Sequence, residues 1–172
     1  YLQLDENERA QATLEKVIEF DPSYSSAYPY LINSYQKDEQ WDKGLIAAQE
    51  GLAVDQYNPE LYLQAAEMAE HALDNELVEK YLRKAIELAP ENTEGMIRIT
   101  DFYNRIGKYD ETLRFASDDI TDAQLNWNLA LAYWKTDDFK KAASHFDAAL
   151  SDLKDTTAFL LDLYHFLRES GQ

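Results

Sequence analysis

The sequence predicts an all-α fold: an array of antiparallel helix pairs repeated along the chain. Three observations predict it. The first is a step of 34 residues, which places Tyr1, Tyr35, Ala69 and Tyr103 on one ladder, Tyr28 and Tyr62 on a second, and Ala10 and Gly44 on a third. The same step joins Asp21-Pro22, Asp55-Gln56 and Ala89-Pro90. Self-similarity at such a period marks a fold built by stacking one supersecondary unit. The second is the apolar spacing inside a period, which is helical and not alternating. Tyr28, Leu31, Ile32 and Tyr35 share one helix face, and Leu45, Ala48 and Leu52 share another. The third is punctuation. Asn58-Pro59-Glu60 reads as an N-cap, a proline at the first helical position and an acid near the positive helix end, and Asn92 and Asp122 sit in equivalent places.

Taken in order, the chain reads as one array over residues 1–172. Its units are 1–24 (partial), 25–58, 59–92, 93–122 (with a short second helix), 123–156 and 157–172 (partial). Within units, polar breaks at Lys37-Asp38-Glu39-Gln40, Leu73-Asp74-Asn75-Glu76, Arg105-Ile106-Gly107-Lys108 and Lys135-Thr136-Asp137-Asp138 separate first from second helices. After Tyr103 the ladder slips, because the next equivalent tyrosine is Tyr133, 30 residues on. The deletion falls around Ala116 to Asp122, so the second helix there is expected to end about one turn early. Both ends read as cut. Tyr1 falls at the end of a first helix, Thr157 to Ser170 make an unpaired first helix, and Gly171 sits where a turn would follow. With no initiator Met, the chain is expected to start inside a longer protein.

Composition removes several function classes. There are 16 Lys+Arg against 33 Asp+Glu in 172 residues, a formal net charge of −17, which repels phosphate backbones and anionic lipid. Nucleic acid and membrane are therefore not expected as partners. The absence of cysteine excludes disulfides, thiol catalysis and the common zinc patterns. Five glycines are scattered singly, so no phosphate-cradling loop forms, and no serine elbow is present. Glu67 and His71 have a metal-ligand spacing with Glu70 nearby, but an acidic helix bearing one solvated imidazole is the plainer account. No metal, no cofactor and no catalytic residues are expected, and no enzyme. Cytoplasm is the default location.

The residues of the repeat resemble the tetratricopeptide repeat (TPR) family. The match is carried by Leu125 to Tyr133, then Asp137-Asp138-Phe139, Ala142, Phe146, Ala149 and Leu150. It continues in Tyr28, Leu31, Tyr35, Trp41, Gly44, Gly51 and Leu52, with looser copies at Tyr62, Ala66, Ala85, Ile86 and Pro90, and at Ile99, Tyr103, Gly107 and Tyr109. Small residues such as Gly44, Ala66, Ala130 and Ala142 stand where backbones approach, and aromatics fill the spaces between. The resemblance implies a right-handed α-solenoid, a non-catalytic scaffold for protein–protein interaction, and a concave wall lined by first helices.

Carried over by position, that wall comprises Asn33, Gln36, Glu60, Leu63, Glu67, Glu70, Glu94, Ile97, Asp101, Asn104, Trp127, Leu131 and Trp134. Its middle is acidic, and two accounts stand open: any face of a chain with net charge −17 carries acids, or their concentration serves a protein or peptide guest carrying Lys or Arg. Trp127, Leu131 and Trp134 share one face at i, i+4, i+7, and two readings of them stand open. They are apolar anchors for the guest, or a neighbouring helix or further repeats cover them. The family's clamp for acidic chaperone tails is not expected. Asn33 and Arg98 suit it, but Pro29, Glu67 and Glu94 replace the residues it needs. Alternative roles are self-assembly, with association through the terminal helix, or peptide sensing within a larger bacterial regulator.

Overall fold

The computed structural model describes residues 2–117, 119–151 and 160–170. Tyr1, Thr157 and Gly171, on which parts of the sequence reading rest, lie outside them. Two compact units are present, Tyr1–Glu91 and Asn92–Gln172. Unit 1 holds α1 (Leu2–Phe20), α2 (Ala27–Lys37), α3 (Trp41–Val54), α4 (Pro59–His71) and α5 (Asn75–Leu88). Unit 2 holds α6 (Thr93–Arg105), α7 (Tyr109–Leu113), α8 (Ala123–Lys135), α9 (Phe139–Leu150) and α10 (Leu160–Ser170). In unit 1 each helix packs on the next in chain order, and α2 also touches α4. In unit 2, α6 packs directly on α8 as well as on α7.

Side chains written at the helix starts fix where those helices begin. Asn58 Oδ1 accepts from the Leu61 amide (3.2 Å), Asn92 Oδ1 from Gly95 (2.9 Å) and Asp122 Oδ1 from Leu125 (2.9 Å). Each satisfies an amide that the first helical turn leaves without a partner, worth about 1 kcal/mol. Asp74 and Asp138 cap α5 and α9 in the same way. The turns inside helix pairs are closed by residues with positive φ: Glu39 (54°), Leu73 (57°), Gly107 (74°) and Asp137 (64°). Their spacings of 34, 34 and 30 residues repeat the ladder and its slip. Gly107 takes this left-handed conformation without cost, whereas Leu73 takes it with an 86% exposed side chain and nothing apolar gained.

The core of unit 1 is read directly from the ladder. Tyr28, Leu31, Ile32 and Tyr35 of α2 are buried, as are Ala47 and Ala48 of α3, Leu61, Ala65, Ala66, Met68 and Ala69 of α4, and Val78, Tyr81, Leu82 and Ala85 of α5. Ala10, a small residue on the same ladder, is exposed. Two glycines of α3 permit close helix approach, to different degrees. A Cβ on Gly51 would lie 2.8 Å from Tyr28 Cβ and 3.1 Å from Leu61 Cδ2, both anchored atoms. A Cβ on Gly44 would meet Met68 Sδ at 2.5 Å, and a thioether can swing aside. Gly51→Ala is expected to destabilise the chain by about 1–3 kcal/mol through overpacking. Gly44→Ala is expected to be near neutral, since about 1 kcal/mol of helix propensity offsets the sulfur's displacement. Urea denaturation of the two variants reads the difference, and equal losses would refute it.

The shortening in unit 2 is larger than the one turn expected. α7 has 5 residues where α3 and α5 have 14 each. The reason lies in the composition beyond Leu113. Ser117, Asp119, Thr121 and Asp122 have side chains that compete for backbone hydrogen bonds, and Ser117 Oγ accepts from the Asp119 amide (3.2 Å). Beside this short helix, α6, α7 and α8 are joined by polar contacts. Thr112 Oγ1 donates to Asn104 Oδ1 (2.9 Å) and to Thr100 O (3.3 Å), and Asn104 Nδ2 donates to Asn128 O (2.8 Å). Asn128 Nδ2 reaches Thr100 Oγ1 (2.9 Å) and Ile97 O (3.2 Å). Thr100, Thr112 and Asn128 are all buried, so the network ties α6 and α8 together beside their buried apolar side chains.

Candidate functional site

Within unit 1 the first helices α2 and α4 lie side by side, and their shared face is polar. Gln64 Nε2 donates to Asn33 Oδ1 (2.9 Å) and to Pro29 O (3.4 Å), and Gln36 Nε2 donates to Glu67 Oε1. Asn33 is exposed, Gln36 and Glu67 are half-buried, Glu70 is half-buried on the same helix, and Glu60 is exposed at its start. The bonds bring Asn33, Gln36, Gln64 and Glu67 together across the two helices. Leu63 is not among them. It is 2% exposed and belongs to the core, because α4 is packed on more than one side and its apolar residues Leu61, Leu63, Ala65 and Met68 are all enclosed. Gln64, which the sequence reading passed over, does the bridging instead. No helical-periodicity signal singles it out, since it stands beside Leu63 on a helix apolar around most of its circumference.

In unit 2, Glu94 and Asp101 are exposed on α6 and Ile97 is half-buried. Asp101 Oδ2 accepts from Arg105 Nε at 3.0 Å, a surface pair one turn apart. Asn104 turns into the polar network and is not a wall residue of the kind expected.

The tryptophans are settled by the second of the two readings. Trp127 is 1% exposed and Trp134 4%. With Ala130, Ala142, Phe146, Ala149 and Phe166 they form one core cluster, against which Leu131 packs half-buried. The Trp127 and Phe146 rings meet edge-on at 4.7 Å, and Trp134 meets Phe166 of α10 edge-on at 6.0 Å. Trp134 Nε1 donates to Glu169 Oε2 (2.8 Å), and the Lys135 ammonium lies 3.9 Å from the Trp134 ring centre. Helix α10 therefore occupies the place proposed for a guest, and the chain supplies its own cation to the ring. The missed signal was the circumference of α8. Leu125, Trp127, Leu129, Leu131, Tyr133 and Trp134 leave no solvent face, and a helix apolar all round is a buried helix. On the outer side of α10, Leu161, Tyr164 and Leu167 are exposed.

Neither central histidine stands in a constellation for proton transfer. His71 is exposed, with one ring face stacked flat on Trp41, ring centres 3.4 Å apart and 6° between planes. His145 stacks on Tyr133, and its Nδ1 is 2.8 Å from Asn126 Oδ1. Burial, and then the Lys141 charge, hold its pKa below the usual imidazole value. Among the described residues no group of three His, Asp or Glu side chains is placed to hold a metal ion. Nor, among them, is any helix long and apolar enough to cross a membrane.

Helix pairs repeated at a fixed step, capped and turned at equivalent residues, define a helical repeat protein. Comparison with known proteins gives the family. Residues 124–172 match the family described as YpiA-like, C-terminal tetratricopeptide repeats, and residues 1–24 match the tetratricopeptide repeat. The TPR repeat-containing protein YpiA of Bacillus subtilis (strain 168) is 32% identical over 162 residues, covering 92% of this chain and 38% of that protein's length. The chain belongs to the tetratricopeptide repeat family. Among solved structures, YrrB, a TPR protein with an unusual peptide-binding site, superposes with a TM-score of 0.76 at 23% identity, covering 94% of this chain and 86% of that one. PilF of Pseudomonas aeruginosa gives 0.75 at 18% identity, covering 99% and 80% respectively. MamA gives 0.75 at 16%, covering 90% and 87%. These likenesses show the fold, an all-α solenoid of antiparallel helix pairs.

Proposed function

We propose that the chain is a non-catalytic scaffold for protein–protein interaction, taking a Lys- or Arg-bearing peptide segment along the face of α2 and α4. One observation carries this reading. The amide donors of Gln36 and Gln64 are used inside the face, on Glu67, Asn33 and Pro29, so carboxylates dominate what it presents outward. A face of acceptors, in a chain of net charge −17, selects a donor-rich guest and speeds its encounter. The same first-helix positions one step on carry Glu94 and Asp101. The apolar anchors of the sequence reading are withdrawn, since Trp127 and Trp134 are core. That YrrB, similar in fold, has a peptide-binding site supports the reading, as does the engagement of His71 and His145 in ring stacks and not in a catalytic arrangement.

A fluorescein-labelled Arg-Gly-Arg-Gly-Arg peptide tests it by anisotropy. Binding is expected to weaken with added salt, and to fall on the order of ten-fold in a Glu60→Lys/Glu70→Lys variant, where two attractions become repulsions. Equal binding by the variant and the parent chain would remove the α2/α4 face as the site.

A further inference from the structure

On the other side of α2, away from the residues just described, second helices α1 and α3 leave a groove between them. Its volume is about 340 Å³, at the small end of the range for ligand sites. The floor is apolar, made by Ile18 of α1, Leu31 of α2, and Ile46 and Ala47 of α3. Ile46 is 56% exposed, an isoleucine held open to solvent on a helix that buries its other face. Around the rim stand Glu15, Glu19 and Glu50, against the single cation Lys43. Glu15 accepts from the Tyr35 hydroxyl (2.7 Å), and Lys43 leans over the Tyr35 ring at 5.7 Å from its centre.

The repeat supplies its own control. One step of 34 residues takes Ala47 to Tyr81, Ile46 to Lys80 and Glu50 to Lys84. Between α3 and α5, Tyr81 fills the corresponding place. It is 6% exposed, its ring is 6.1 Å from that of Tyr62, and lysines replace the apolar and acidic rim positions. The groove between α1 and α3 is therefore not a general consequence of stacking helix pairs. Its aromatic comes from α2, as Tyr35, where Ala69 stands one step on, and it is negative because residues 15, 19 and 50 are acids.

We infer that this groove is a second docking site, taking a peptide segment in which one branched aliphatic side chain is flanked by Lys or Arg. The aliphatic group covers Ile18, Ile46 and Ala47, and the flanking cations meet the carboxylates of the rim. Charge complementarity chooses this guest over an acidic or neutral one, since three carboxylates around an apolar floor repel the first and gain little from the second.

The test uses labelled Lys-Lys-Leu-Lys-Lys, with Lys-Lys-Gly-Lys-Lys and Glu-Glu-Leu-Glu-Glu for comparison, titrated against the whole chain. The leucine peptide is expected to bind more tightly than the glycine peptide, and the acidic peptide not at all. Ile46→Lys installs the residue of the next repeat at an exposed position, removes part of the apolar floor, and is expected to reduce affinity for the leucine peptide on the order of ten-fold. Glu50→Lys alters only the exposed rim, so it repeats the test without touching the fold, and is expected to act in the same direction. In Glu60→Lys/Glu70→Lys the preference for leucine over glycine is expected to persist, which separates this site from the α2/α4 face. Equal binding of the leucine and glycine peptides overturns the inference. So does parent-like binding of the leucine peptide by both Glu50→Lys and Ile46→Lys.

Discussion

Trp127→Ala is expected to cost unit 2 about 3–5 kcal/mol, the range for deleting a large buried aromatic. The side chain is 1% exposed and contacts Phe146 edge-on, so its removal leaves a cavity that neighbouring helices cannot fully close. Trp134→Ala is expected to cost a similar amount for a partly different reason. It removes the ring that packs on Phe166 and the bond from its indole N–H to the exposed Glu169 carboxylate. Native-state hydrogen exchange reads both, since amides of α8 and α9 are expected to lose protection in either variant. Amides of α4 and α5 in unit 1 serve as the internal reference. A loss below about 1 kcal/mol, as for an ordinary surface substitution, would mean that the tryptophans are surface anchors after all.

That outcome was open in the sequence for a definable reason. Spacing at i, i+4, i+7 says that Trp127, Leu131 and Trp134 share a face, but not what lies opposite. Only the packing of α10, with Phe166 directed at both Trp134 and Phe146, decides it. What was legible is what local rules determine. Asn58, Asn92 and Asp122 cap helices because their side-chain oxygens reach the third amide on, wherever the helix packs. The slip from 34 to 30 residues was visible in Tyr103 and Tyr133, and returns as the interval between Gly107 and Asp137. The scale of the shortening of α7 was not visible, since a four-residue deletion indicates one lost turn. The further loss comes from Ser, Thr and Asp side chains competing with the helix backbone. In the candidate site, the amide residues of α2 and the acidic residues of α4 could be placed by position. The bridging role of Gln64 could not, because amide pairing across two helices depends on their separation and rotation.

Asn128 is where the two consequences of the short α7 meet, and substitutions there separate packing from hydrogen bonding. Its side chain is enclosed, gives both N–H groups to α6, at Thr100 Oγ1 and Ile97 O, and accepts from Gln124 Nε2 (3.2 Å). Asn128→Leu keeps the volume and removes the bonds, and is expected to cost about 1–3 kcal/mol, the penalty of leaving buried partners unsatisfied. Asn128→Asp keeps the shape but is expected to cost more at neutral pH. A carboxylate cannot donate to Ile97 O, faces that carbonyl with like charge, and carries its ionisation into a buried site. Burial favours the neutral acid, so the folded-state pKa of the new carboxyl lies above the unfolded value of about 3.9. The sign follows from that direction. The variant is most stable relative to the parent below about pH 4, where the acid is protonated in both states and can donate one hydrogen bond, and it loses ground as pH rises from there through the raised folded-state pKa. Asn128→Leu has no such titration and is expected to show a pH-independent deficit. Urea denaturation of the parent and both variants across acid to neutral pH distinguishes them. Parent-like stability of Asn128→Leu at every pH would show that Asn128 acts through its volume alone, and that the polar network does not hold α6 to α8.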